Sequence, residues 1–276
     1  MIEPGFTDSH CHLLPGIDDG AGSIDDALEM AAVLAAAGFT RVWCTPHRIA
    51  GVFDPTPVTV LARVAELESR LAQAGIRVAL LPATEYCLDE LLLPSLSAPL
   101  PLDNSMLLIE VPSISVPDFI GEMALQVIRS GFVPLIAHPE RSQAFSCSPD
   151  TNRDSGFSLR ESVRSLFPGR RRSRTGFRDR SISPLLTLLA EMGCRFQGNI
   201  GSFAGIYGGT IRDTAIGFLK KGLYDRLGSD AHTPAGMGEW LGEGLAVVRS
   251  LVGEESLHRL LRPGNRREAT VRSGRR

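Results

Sequence analysis

Residues 5–38 of the chain read GFTDSHCHLLPGIDDGAGSIDDALEMAAVLAAAG, and they contain one complete strand, loop and helix. The short apolar run at about 5–11 predicts the strand. The segment from Ser23 to Asp26 resembles a helix capping box with Asp in the place of Glu, and apolar residues follow at helical spacing until Gly38 ends the helix. The stretch therefore predicts a β-strand followed by an α-helix.

The same unit repeats along the chain. Further apolar runs predict six more strands, at about 40–46, 77–84, 106–111, 132–138, 194–200 and 223–229. Helical patterns lie between several of them, at about 60–71, 117–130 and 210–222. Strands that alternate with helices predict a parallel sheet. Seven such units favour a closed or nearly closed (β/α)7 TIM-like barrel over an open doubly wound sheet.

Length and composition predict a single soluble domain over residues 1–276, because 43% of the residues are hydrophobic. The longest apolar stretches, 31–37 and 78–83, are far shorter than the roughly 20 residues that span a bilayer, and no basic and then apolar leader is present. The five cysteines are odd in number and form no CxxC pair, which argues against a disulfide framework and a structural zinc cluster. We therefore expect a cytoplasmic protein without membrane insertion.

The net charge of -2 is unevenly distributed. Residues 145–182 carry nine Arg against four acidic residues, and residues 262–276 carry six Arg against one, which leaves -12 on the rest of the chain. Because the body is acidic, we do not expect a general nucleic-acid binder. The Ser- and Arg-rich stretch at 145–182 sustains no apolar period, so it predicts a mostly disordered basic insertion, and 262–276 predicts a basic tail.

Ionisable side chains stand at the ends of the predicted strands. The set comprises His10, His12, His47, Glu85, Glu110, His138, Asp230 and His232. A single histidine of this kind is more often a hydrogen-bonded core residue than a ligand. Here, however, the carboxyl ends of all barrel strands open on one face, so the whole set converges there.

The chemistry of this set predicts a metal site. His10 and His12 alternate along a strand, so both imidazoles point the same way and can share one cation. Eight nitrogen and oxygen ligands suit two or three divalent ions of the Mn, Fe or Zn kind, bridged by a carboxylate. Asp19 is either a further ligand or part of an ordinary Asp-Gly turn.

Seven segments together resemble the PHP-superfamily tyrosine phosphatases of bacterial capsule and exopolysaccharide operons. They are DSHCHLLPGIDDGA at 8–21, TPH at 45–47, Glu85, IEVP at 109–112, AHPER at 137–141, GNIGSFAG at 198–205 and SDAH at 229–232. The resemblance implies a distorted seven-stranded PHP barrel with a trinuclear, usually manganese, centre. It also implies hydrolysis of phosphotyrosine on the phosphorylated tail of a bacterial tyrosine kinase.

The resemblance assigns a role to each residue. One metal ion would take His10, His12, Glu85 and Asp230, a second would take Glu85, Glu110 and His138, and a third would take Asp19, His47 and His232. Arg141, Asp230 and His232 would act in catalysis, with Arg141 holding the phosphoryl oxygens while the metals activate a bridging water. Arg141 could instead form a salt bridge at a helix start. Residues 233–239 contain no basic residue, although family members commonly place an Arg there.

Three other functions fit parts of the sequence. Residues Cys147 to Arg153 have the Cys-x5-Arg spacing of a cysteine phosphatase, but the loop lacks glycine and contains Pro149 and Asp150. A PHP-type phosphoesterase acting on a small molecule such as histidinol phosphate would use the same scaffold. A catalytically weak binding module is disfavoured because the ligand set is complete.

Overall fold

A computed structural model describes residues 5–145 and 183–262, which form an α/β fold with a parallel sheet. The strands are β1 (Phe6–Cys11), β2 (Phe39–Cys44), β3 (His47–Arg48), β4 (Ala79–Pro82), β5 (Glu85–Cys87), β6 (Met106–Glu110), β7 (Val133–Ala137), β8 (Arg195–Asn199) and β9 (Arg226–Gly228). The helices are α1 (Ile24–Ala36), α2 (Pro57–Gln73), α3 (Leu92–Ser95), α4 (Pro117–Arg129), α5 (Pro184–Met192), α6 (Ile200–Ala204), α7 (Gly209–Lys220) and α8 (Met237–Leu261).

The strands form two sheets, and the chain passes directly from one to the other at two places. One sheet has the order β1-β2-β4 and the other β3-β5-β6-β7-β8-β9, and each neighbouring pair is parallel. The chain passes from β2 to β3 and from β4 to β5 after only two residues, so each sheet continues the other. The sheet also curls: the Asp230 N–H donates to the His10 carbonyl (2.7 Å), and the His12 N–H donates to that of Ala231 (3.0 Å).

All seven predicted strands are present, as β1, β2, β4, β6, β7, β8 and β9, whereas the short strands β3 and β5 lie just beyond the predicted bounds 40–46 and 77–84. The parallel α/β architecture is therefore confirmed, while closure into a seven-stranded barrel stays a prediction. Helix α1 begins as expected, because the Ser23 Oγ accepts the Asp26 N–H (3.1 Å). Apart from Phe145 and Arg262, the predicted insertion and tail lie outside the described residues.

Four helices have no counterpart in the sequence analysis, namely α3, α5, α6 and α8. Helix α8 contains four glycines, which disfavour helix, and its backbone leaves helical geometry at Gly253 (φ 77°). Gly244 packs directly on the backbone of Ile200, where a Cβ would lie 2.4 Å from the carbonyl oxygen. Tertiary packing therefore stabilises this helix. No helix in the described ranges is long and apolar enough to span a membrane.

The core lies in two layers on either side of the strands. The larger layer packs the helices against the sheet, and α1 contributes Met30 and Leu34 to it. A smaller cluster includes Trp43, Leu108 and Leu135. Leu108 and Glu110 share a face of β6 because alternate strand residues point the same way. The small apolar cluster therefore lies on the same face as the ionisable side chains at the strand ends.

Candidate metal centre

The structure brings all nine predicted ligands to the carboxyl ends of the strands. His10 lies near the end of β1 and Glu110 ends β6. His47 and Glu85 begin β3 and β5, three residues after the carboxyl ends of β2 and β4. The others lie in the segments that follow β1, β7 and β9. Their donor atoms form three groups, each within 4.8 Å: His12, Asp19, His47 and His232; His10, Glu85, His138 and Asp230; and His47, Glu85 and Glu110.

The tightest part of the cluster consists of four buried side chains. The His10 Nε2 lies 3.0 Å from the His12 Nε2, 3.1 Å from the Glu85 Oε2 and 3.2 Å from the Asp230 Oδ1. The His12 Nε2 lies 3.2 and 3.3 Å from the same two oxygens. Metal–ligand bonds of about 2.1 Å place neighbouring ligands about 3.0 to 3.4 Å apart in octahedral or tetrahedral geometry. The four residues therefore fit one divalent cation.

Partners on the far side of each ring orient three of the histidines. The His10 Nδ1 lies 3.0 Å from the Gln197 Oε1, the His12 Nδ1 lies 2.7 Å from the Asp18 Oδ2, and the His232 Nδ1 lies 2.9 Å from the Asp230 carbonyl oxygen. Because these oxygens only accept hydrogen bonds, each Nδ1 carries a proton, and each ring in its neutral form offers its Nε2 lone pair. Two such lone pairs face each other between His10 and His12. Positive charge between them stabilises that contact, as in metal sites whose histidines are held by carboxylates or carbonyls.

The charged side chains of the cluster strongly shift one another's pKa values. Burial alone would raise the pKa of Glu85, but the surrounding histidines, His10 first, hold it well below its usual range. Burial alone would lower the pKa of His10, but Glu85 and Asp230 raise it to about 9. The Glu85 Oε1 is buried and has no hydrogen-bond partner among the described residues. The pocket therefore attracts cations, whether protons or metal ions.

Glu85 is the central carboxylate of the site. Its oxygens lie 3.1 Å from the His47 Nδ1 and 3.3 Å from the His138 Nε2, in addition to the contacts with His10 and His12. Asp19 is half exposed, and its Oδ1 lies 3.6 Å from the Nε2 atoms of both His47 and His232. Glu85 therefore has the position of a bridging ligand, although the division of the nine residues among three ions stays a prediction.

Two of the predicted ligands occupy backbone conformations that non-glycine residues rarely adopt. His138 has φ 27° and Asp230 has φ 54°. Such geometry costs about 1–3 kcal/mol per residue and is typical of functional sites. At Gly228 an added Cβ would lie 2.6 Å from the His10 Cβ, so only glycine lets β9 approach β1 this closely.

Arg141 stands at the edge of the cluster. It lies in a single 3-10 turn after β7, and its Nη1 donates to the Asp230 Oδ2. The guanidinium carbon lies 4.4 Å from the centre of the Tyr207 ring, and the Arg141 side chain is 30% exposed. The Asn199 Nδ2 donates to the same Asp230 oxygen (2.9 Å). The guanidinium therefore faces both the predicted ligands and solvent. Its ion-pair partner is Asp230, which does not lie at the start of a helix.

Several supporting residues were missed by the sequence analysis. Asp18 and Gln197 orient His12 and His10, and Tyr207 supports Arg141. The buried Glu140 accepts hydrogen bonds from the Asn199 N–H (2.9 Å), the Ser202 hydroxyl (2.9 Å) and the Tyr224 hydroxyl (3.0 Å). Asp18 lies in the segment 8–21 and Glu140 in the segment 137–141. Their positions close to predicted ligands could have indicated a supporting role from the sequence alone.

The cysteines described here are unsuited to nucleophilic chemistry. Burial raises the pKa of Cys194 and of Cys87 to about 12, and it raises those of Cys11 and Cys44 as well. A thiol with such a pKa is protonated at neutral pH. Cys147, the first residue of the Cys-x5-Arg segment, lies outside the described residues.

Comparison with known proteins relates this arrangement to one family. Residues 6–154 match the model of a family described as capsular polysaccharide synthesis, CpsB/CapC. The chain is 28% identical over 256 residues to tyrosine-protein phosphatase YwqE of Bacillus subtilis (strain 168), covering 90% of this chain and 85% of that protein.

Solved structures agree with this relation. The chain superposes, with a TM-score of 0.71 and 28% identity, on a structure from work on YwqE of Bacillus subtilis and CpsB of Streptococcus pneumoniae, described as unique metal-dependent tyrosine phosphatases. The match covers 92% of this chain and 90% of the other. A histidinol phosphate phosphatase from Lactococcus lactis subsp. lactis Il1403 gives a TM-score of 0.50 at 12% identity, covering 90% and 94%, which shows a shared fold.

Proposed function

The chain belongs to the CpsB/CapC family of capsular polysaccharide synthesis proteins, and from this premise we propose that it is a metal-dependent protein-tyrosine phosphatase. One observation carries the proposal: four buried donor atoms from His10, His12, Glu85 and Asp230 lie at the mutual spacing of ligands around one cation. The similarity to YwqE extends over 90% of the chain. The family match begins at residue 6 and so includes His10, His12 and Glu85.

We propose that the nine clustered residues hold up to three divalent ions, with Mn first and Fe or Zn as alternatives. Bound there, such ions polarise phosphoryl oxygens and make water a nucleophile at neutral pH. The residues set the geometry: Gln197 and Asp18 fix the rings of His10 and His12, and Glu85 holds the centre of the cluster. The same proposal treats the two sheets as one distorted seven-stranded barrel.

Arg141 binds the phosphoryl group in this proposal. Its planar guanidinium offers several N–H donors in a geometry that suits phosphate oxygens, and it is partly exposed beside the ligand set. Tyr207 and Asp230 position the guanidinium from two sides. Asp230 and His232 also belong to the reacting site, since Asp230 contacts both His10 and His12 and His232 is oriented by the Asp230 backbone.

The family match supports a proposal for the physiological substrate. We propose the phosphorylated tail of a bacterial tyrosine kinase that regulates capsule or exopolysaccharide synthesis, and a cytoplasmic location for the reaction. A phosphoesterase acting on histidinol phosphate is the alternative on the same scaffold.

The deciding experiment compares two substrates side by side. Protein stripped of metal is reconstituted with Mn, Fe or Zn and assayed on a phosphotyrosine peptide and on histidinol phosphate. We expect metal-dependent hydrolysis of the peptide, and Cys147→Ser should match the unsubstituted enzyme. Turnover of histidinol phosphate alone would refute the tyrosine phosphatase assignment, and a folded Cys147→Ser protein without activity would refute the metal mechanism.

A further inference from the structure

A cleft lies beside the candidate metal centre, between residues 48–54 and 86–95, and we name it the β3–β5 cleft. Its volume is ≈ 180 Å³. Arg48 and Asp54 line one wall, and Tyr86, Asp89 and Leu91 line the other. Neither the sequence motifs nor the comparisons assign a role to this cleft.

The cleft and the candidate metal centre use neighbouring residues of β3 and β5. In the ladder between β3 and β5, His47 pairs with Glu85 and Arg48 pairs with Tyr86. Successive strand residues point to opposite faces, so Arg48 and Tyr86 face away from the predicted ligands. Cys87 also lines the cleft, and it lies two residues after Glu85 and so on the same face of β5. The Phe53 ring stacks on the His47 ring with centroids 6.2 Å apart and an interplanar angle of 13°. The cleft therefore borders the face that carries the predicted ligands at Cys87.

The large exposed apolar side chains are concentrated at the end of the molecule where the strands have their carboxyl ends. All but one of the large ones in the described ranges follow the carboxyl end of a strand, in the connecting loop or the first turns of the next helix: Val52, Val58, Leu61, Leu91, Ile114 and Val116. Ile206 lies between α6 and α7. Val52 is 67% exposed and Leu91 is 55% exposed, and they belong to the two segments that form the cleft. Apolar exposure of this kind marks surfaces that contact other molecules.

The charge of the cleft is negative. Asp54 pairs with Arg48, whose Nε lies 3.3 Å from the Asp54 Oδ1. Asp89 accepts the Leu91 N–H at 2.8 Å and adds a second carboxylate to the lining. The lining therefore offers apolar surface together with one uncompensated negative charge, which attracts a basic side chain and repels an acidic one.

Resting on the proposed function, we propose that the β3–β5 cleft binds the peptide residues that flank the phosphotyrosine and prefers an apolar and a basic side chain there. A tyrosine phosphate alone reaches only the ligand set, so the rest of a protein substrate must run along the surrounding loops. An apolar side chain would cover Leu91, and a basic one would face Asp89.

The test measures binding and hydrolysis separately. Phosphotyrosine peptides carry Ala-Ala, Leu-Lys or Leu-Glu on either the amino or the carboxyl side of the phosphotyrosine. Each is also made as a phosphonate that cannot be hydrolysed, and its Kd is measured by fluorescence anisotropy with the metal-loaded protein. We expect one Leu-Lys peptide to bind about 5- to 10-fold more tightly than its Ala-Ala counterpart, because it buries an apolar side chain.

Two variants connect this preference to the cleft. Leu91→Ser should reduce the ratio of the Leu-Lys and Ala-Ala affinities towards one, and Asp89→Asn should remove the discrimination between Lys and Glu while keeping the apolar preference. Asparagine retains the oxygen that accepts the Leu91 N–H, so it tests charge with the local turn preserved. Val58→Ser is the matched control, because Val58 is exposed but does not line the cleft.

The outcomes separate the two proposals. If the unsubstituted protein shows equal affinities for all peptides, or if Leu91→Ser retains the full preference, the cleft proposal is overturned. If the peptides bind with the expected preference but none is hydrolysed, the tyrosine phosphatase assignment fails and the cleft proposal stands.

Discussion

Replacement of Asp18 by Asn tests whether a buried carboxylate behind His12 sets the metal affinity. The Asp18 Oδ2 accepts from the His12 Nδ1 (2.7 Å) and the His47 N–H (2.9 Å), and its Oδ1 accepts from the Gly20 N–H (2.9 Å). Its side chain is fully buried, so no water substitutes for a lost partner. Asparagine has the same shape but only one acceptor oxygen.

Neither orientation of the amide introduced by Asp18→Asn satisfies these three donors. If the amide oxygen faces His12, the NH2 group faces the Gly20 N–H, and two donors oppose each other. If the NH2 group faces His12, the ring must accept at Nδ1, and its proton moves to Nε2, where it blocks the lone pair that faces His10. Loss of such a supporting partner typically weakens metal binding about 10- to 100-fold, or about 1.4 to 2.7 kcal/mol.

The assay is a competition between the protein and a chelator of known affinity, followed by elemental analysis. Asp25→Asn is the matched control, because Asp25 is exposed in the first turn of α1 and its replacement removes the same charge from the same region. We expect normal affinity for Asp25→Asn and the stated loss for Asp18→Asn. Equal affinity of the two variants would show that His12 does not ligate through Nε2.

Three further predictions address catalysis, protonation and stability. Arg141→Ala should keep its metal by elemental analysis and lose about 100- to 1,000-fold in kcat on phosphotyrosine, whereas His10→Ala should lose the metal; full activity of Arg141→Ala would end its assignment to phosphate. Because Glu85 and Asp230 raise the pKa of His10 to about 9, metal binding near pH 7 should release protons, and the apparent affinity should rise with pH towards 9; calorimetry in buffers of different ionisation enthalpy measures this, and zero proton release contradicts it. Glu140→Ala should lower the free energy of unfolding by about 2–4 kcal/mol in urea titrations, because three buried donors lose their acceptor, while Glu140→Gln should cost less; equal costs would contradict this reading.

The strands and the clustering of the ionisable residues could be predicted because both depend on local pattern. Apolar runs mark the buried strands, and the ionisable residue at each end marks the open face, as with Leu107–Ile109 before Glu110. The parallel arrangement then brings distant residues together without any knowledge of side-chain packing. The alternation of His10 and His12 gives their shared direction in the same way.

The supporting contacts could not be predicted, because they depend on how side chains meet across the sheet. Gln197 contacts His10 from 187 positions away, and Arg141 contacts Asp230 from 89 positions away. No local pattern encodes such pairs. Helix α8 was missed for a related reason, since its glycines disfavour helix and only packing against Ile200 explains Gly244.

The seam between the ends of β1 and β9 has a consequence for synthesis. His10 and His12 leave the ribosome early, whereas Asp230 and His232, which contact them, leave only after most of the chain has been made. A nascent chain therefore exposes histidines and carboxylates in an incomplete set for most of its translation. Under the proposed function, full cation affinity would arise only once residues 230–232 have been made, and a chain terminated before residue 230 would lack it.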